Sequence, residues 1–70
     1  MNKHTKETLR KALIKAQKNL FEILSPLRTE VTKMKGTTLT EEKLIIIRIK
    51  DMLREAEERV NTALNKLMNL

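Results

Sequence analysis

Leu44–Ile49 reads LIIIRI, and five of its six positions are leucine or isoleucine. Alone, a short β-branched run of this kind fits a buried strand as well as a buried stretch of helix. The residues beyond it decide the matter. Ile46, Ile49, Leu53, Ala56, Val60, Ala63, Leu67 and Leu70 follow one another by alternating steps of three and four, and all are apolar. That is a coiled-coil seam, and a strand at 44–49 would have to lie inside its register. The run is predicted to be helix.

Immediately upstream, Lys33–Leu44 reads KMKGTTLTEEKL and holds the only glycine of the chain. Gly36 suits the left-handed residue that closes a helix, with Lys33 and Lys35 near the negative end of its dipole. Thr40 suits the N-cap of the next helix, with Glu41 and Glu42 in its first turn and Leu39 and Leu44 at hydrophobic-staple positions. Thr38 with Glu41 forms a competing capping box. So short a connection forces the two helices antiparallel.

The first helix is expected to start after Thr5 as cap. Its apolar stripe is Leu9, Leu13, Ala16, Leu20, Leu24, Leu27, Val31 and Met34, widened by Ile14, Phe21 and Ile23. Pro26 falls inside the stripe and removes one backbone donor. Ser25 could cap a fresh helix there, but the stripe keeps phase across the proline, which favours one kinked helix. The predicted fold is all-α, a single coiled-coil-like two-helix hairpin over residues 1–70. Helix one covers about 6–35 with a kink at Pro26, the turn 36–40, and helix two about 41–69.

Four successive apolar residues on a helix point in directions about 100° apart and so cover most of its girth. One partner helix cannot cover them all. Ile45, Ile47, Met52, Leu64 and Met68 fall outside the predicted seam and are the candidate partner-binding residues. A second copy of the chain would cover them as a four-helix bundle, and so would a helix or groove of a different protein. Contiguous apolar surface is rarely left bare. Chain length points the same way, because a 70-residue core is marginal and needs a staple. With no cysteine and a single histidine, His4, neither a disulfide nor a Cys/His metal site is expected.

No catalytic residues, metal site or cofactor are expected. Glu22, Glu30, Glu55 and Glu58 lack the Glu-x-x-His pairs of carboxylate-bridged bundles. Arg54 with Glu58, and Glu55 with Arg59, instead have the spacing of ordinary surface ion pairs. No glycine-rich phosphate loop or nucleophile–base set can be assembled. No apolar run approaches the length of a membrane span. The first 20 residues lack the apolar core of a secretory signal, so a soluble cytoplasmic protein is expected.

Charge supplies the rival reading. Residues 1–35 hold nine Lys/Arg and three acids, a net of +6, whereas residues 36–70 hold six of each. Lys11, Lys15 and Lys18 share one helical face and are candidate phosphate-binding residues, as in a basic dimeric four-helix-bundle regulator that binds nucleic acid. Against it, the chain has one aromatic residue, Phe21, and so no stacking platform for bases.

The stretch GTTLTEEKLIIIRIKDMLREAEERV, Gly36–Val60, resembles the second half of the small co-chaperones of type III secretion needle subunits. It shares with them a glycine-to-Leu-Thr turn followed by acidic residues, and LREAEERV, Leu53–Val60, is similar to their Leu-x-x-Ala-plus-acid register. The likeness covers about half the chain. It implies a bacterial cytoplasmic protein with no catalytic residues. Its partners would be a helical-repeat chaperone and the secreted subunit, which it would help to keep monomeric.

Overall fold

A computed structural model describes residues 1–70. Helix α1 spans Lys3–Lys33 and helix α2 spans Glu41–Met68, packed antiparallel with no strand anywhere. LIIIRI lies wholly within α2. The hairpin measures 54 × 16 × 15 Å, so it is about one helix long and one helix pair across. Its radius of gyration is 16.1 Å, against about 11 Å for a compact domain of this length.

The turn forms as its residues dictate. Gly36 has φ +76°, and the amide of Thr37 donates to the carbonyl of Met34 at 3.1 Å. The Thr40 side chain accepts from the Lys43 amide at 3.2 Å, capping α2. The Lys43 ammonium reaches back to the Thr37 hydroxyl and the Thr38 carbonyl, each at 2.9 Å, and ties the turn to the helix it precedes. Thr38 therefore serves the turn through its carbonyl, and the cap is Thr40. A Cβ added at Gly36 would meet nothing within 4 Å, so only the backbone conformation opposes a side chain. Gly36→Ala is expected to cost about 1–2 kcal/mol in urea unfolding, and an unchanged midpoint would contradict that.

One expectation for α1 needs correction. The cap is Asn2 rather than Thr5: its side-chain oxygen accepts from the Thr5 amide at 2.8 Å, so the helix starts three residues earlier than expected. As the unbroken stripe favoured, α1 runs on through Pro26, and Ser25 caps no new helix. Proline removes the donor that would meet the Glu22 carbonyl, but Glu22 is exposed, so water can satisfy that oxygen. The Thr29 hydroxyl donates to the Ser25 carbonyl at 3.2 Å, occupying an acceptor next to the interruption.

The core is thin. Leu24 (0% exposed) and Leu67 (6%) are the only buried residues, and a half-buried stripe connects them. In α1 that stripe follows the predicted one through Leu13, Ala16, Leu20, Leu27, Val31 and Met34, while Leu9 is exposed. In α2 it is rotated. Ile46, Leu53, Ala56, Val60 and Leu67 face α1 as expected, but Ile49, Ala63 and Leu70 are exposed, and Ile47, Lys50, Glu57, Asn61 and Leu64 are half-buried instead.

Polar contacts between the helices explain the rotation. The Gln17 side-chain amide donates to Asn61 Oδ1 at 2.6 Å across the interface. The Arg28 guanidinium lies 3.6 Å from the Glu57 carboxylate, whose side chain is largely sheltered. Both partners belong to one side of α2, and they draw that side inward.

Candidate interaction surface

The rotation leaves the hairpin with two unlike flanks. On one, Leu9, Ala16 and Ile23 recur every seventh residue along α1, and Ile49, Ala56, Ala63 and Leu70 do so along α2. The two rows share a side, because Leu9 and Leu13 line one open groove with Ala63, Leu67 and Leu70, and Lys66 stands at its edge. Beyond the α2 row, Ile45 (49% exposed) and Met52 (69%) extend the apolar surface outward. On the opposite flank, Ile14 and Phe21 lie beside Gln17, Lys18, Glu57 and Asn61, a short apolar patch set among polar groups.

The five candidate partner-binding residues are thereby dispersed. Ile45 and Met52 stand on the broad apolar flank. Ile47 lines a recess by the turn with Val31, Met34 and Leu39, so it belongs to the hairpin's own packing. Leu64 faces α1 and is half-buried. Met68 is exposed but shares the seven-residue row of Ile47 and Asn61, on the other flank. Sequence reasoning missed Leu9, Ile23, Ile49, Ala63 and Leu70 as surface. The signal was present in the exact seven-residue spacing of Ile49, Ala56, Ala63 and Leu70, but it was assigned to the intrachain seam.

Lys11, Lys15 and Lys18 are all exposed, and none takes part in an ion pair. Of the surface pairs expected on α2, Glu55–Arg59 forms at 3.5 Å. Arg54 and Glu58 do not pair. Glu7 and Arg10 pair through their side chains near the start of α1. The Arg10 hydrogen bond holds the Glu7 carboxyl below its ordinary value, and Glu7 raises Arg10 in turn. A depressed carboxylate favours the fold at neutral pH and loses that contribution as pH falls through its folded value. Solvent screening keeps this one small.

Nowhere do three His, Asp or Glu side chains come together as metal ligands would, and no helix is long and apolar enough to cross a membrane. What these features define is an antiparallel helical hairpin with one uncovered apolar flank. No protein-family model, curated protein or solved structure matches the chain.

Proposed function

We propose that the chain is a non-catalytic protein-binding module that receives helical segments of another protein on the flank built from Leu9, Ile23, Ile45, Ile49, Met52 and Leu70. The observation that carries this reading is the breadth of that flank: its residues run along both helices and have nothing over them. Apolar surface of such continuity on a small protein marks an interaction site, and helices laid on apolar helical faces are a common recognition mode. The resemblance of Gly36–Val60 to needle-subunit co-chaperones supports a finer form. In that form the partners are a helical-repeat chaperone and a secreted subunit, and the work is done in the bacterial cytoplasm.

A second reading is favoured by the exposed, unpaired Lys11, Lys15 and Lys18, which suit a phosphate backbone. Affinity capture from the native cell, with nuclease treatment as control, separates the two. Met52→Glu should lose a stoichiometric protein partner while keeping the helical circular dichroism of the wild type, because an unpaired charge is costly to desolvate. Full capture by Met52→Glu would defeat the protein-binding reading. Under the second reading, Lys11→Ala with Lys15→Ala should flatten the salt dependence of duplex binding by about one unit per lost phosphate contact. Salt-insensitive or absent binding would defeat it.

A further inference from the structure

We infer that, in the absence of any other protein, the apolar flank is covered by a second copy of this chain, face to face, giving a four-helix bundle. The inference shares the premise of the proposed function that this flank is an interface, and goes beyond it by naming the occupant.

Area is the first argument. The hairpin exposes 5677 Å². A compact monomer of 8.2 kDa is expected to expose about 4,500 Å², leaving an excess of roughly 1,100 Å². A stable protein–protein interface covers about 800 Å² on each partner, so the excess is of the size that one such contact removes.

Geometry is the second argument. A seven-residue, two-turn repeat advances about 103° per residue. On α2 the line toward α1 runs between the row of Ile46, Leu53, Val60 and Leu67 and the row of Lys43, Lys50, Glu57 and Leu64. By that repeat the row of Ile49, Ala56, Ala63 and Leu70 lies about 80° round the helix from this line, and Ile45 and Met52 about 130°. A single helix laid in the groove between α1 and α2 makes a triangle, approaches α2 about 60° from the line, and leaves Ile45 and Met52 uncovered. A second pair of helices makes a square, approaches about 90° from it, and covers both rows. The occupant must therefore present two helices side by side, with a face long enough to match rows spaced by sevens on both helices. This chain has that face.

Charge permits the arrangement. The basic excess lies in residues 1–35, and its cluster at Lys11, Lys15 and Lys18 is on the outward face of α1, away from the flank; on the flank the row of Ile45 and Met52 continues through Arg59, which pairs with Glu55, to Lys66 at the edge of the groove. Two copies can meet across the flank without bringing those clusters into contact.

Sedimentation equilibrium on the purified full chain, over about a hundredfold range of concentration, tests the inference. The expected mass at the upper end is twice the 8.2 kDa of one chain, with a thermal midpoint that rises with concentration. Ile49→Glu should weaken self-association by about a hundredfold or more, since it places an unpaired charge in the covered layer. Ala63→Gln, at an exposed position that makes no demand on the hairpin's own core, should weaken it in the same direction. Phe21→Ser, on the opposite flank, should leave it unchanged. A monomer throughout, with a concentration-independent midpoint, would overturn the inference. So would a dimer that survives both Ile49→Glu and Ala63→Gln, or one that Phe21→Ser abolishes. A monomer that still captures a protein through Met52 would leave the proposed function standing alone, and a dimer that captures none would leave this inference standing alone.

Discussion

Leu24→Ala is expected to lower the unfolding free energy by about 2–5 kcal/mol, as for other buried leucines truncated in well-packed cores. Leu24 is the one side chain of the hairpin with no exposed surface. It sits mid-helix, where neither end can relax into the space left behind. The consequence is severe because the reserve is small. At typical values per residue a 70-residue chain has roughly 3.5–10 kcal/mol in total, and a fold with two buried residues belongs near the lower figure. Urea denaturation followed by circular dichroism should show a large loss, with much of the chain unfolded at low concentration before any denaturant is added. A loss below about 1 kcal/mol would mean that the cavity collapses freely and that the helices are not held at this layer.

Pro26→Ala should move stability the other way, by as much as about 3 kcal/mol, the difference between proline and alanine inside a helix. Pro26 is exposed and makes no part of the half-buried stripe, so little packing is lost when its ring is removed. Alanine restores the amide that can donate to the Glu22 carbonyl and removes the ring's crowding of the preceding turn. The gain should appear as a raised denaturant midpoint with an unchanged slope, since the surface exposed on unfolding hardly changes. A destabilised variant would show instead that the proline bends α1 into a curvature on which its contact with α2 depends.

These two positions also mark how far the residues alone could be read. Leu24 was placed in the α1 stripe by spacing, and spacing does not depend on the rest of the molecule. At Pro26 the local cost of proline is visible in the sequence, and so is the stripe that keeps phase across it and favours a single helix running through. The same division holds for the caps. Gly36 and Thr40 were legible because left-handed backbone and an unsatisfied helix start each demand particular side chains. Asn2 was overlooked for Thr5, although both can cap and only the chain path decides between them.

On the surface the division is sharper. The exposure of Lys11, Lys15 and Lys18 followed from helical spacing and charge. The placing of Ile47 and Leu64 outside the seam depended on which way α2 is turned, and in the hairpin both are half-buried.

The residues alone dictate two helices, their antiparallel pairing, the place where the chain reverses, and an α2 with more apolar surface than one neighbour can cover. All of these follow from local rules: period, capping, glycine's access to positive φ, and the length of the connection. Which of two overlapping stripes faces α1 is settled by the packing of the two helices together. Ile46, Leu53, Val60 and Leu67 belong to both. One stripe completes them with Ile49, Ala56, Ala63 and Leu70, all apolar, and the other with Lys50, Glu57, Asn61 and Leu64, mostly polar. By hydrophobicity the first should be the seam. The hairpin turns toward the second while keeping Ala56 half-buried, and there Asn61 and Glu57 find Gln17 and Arg28 across the interface. A polar group sheltered without such a partner would be penalised, and that pairing is a property of two helices together, absent from either one alone.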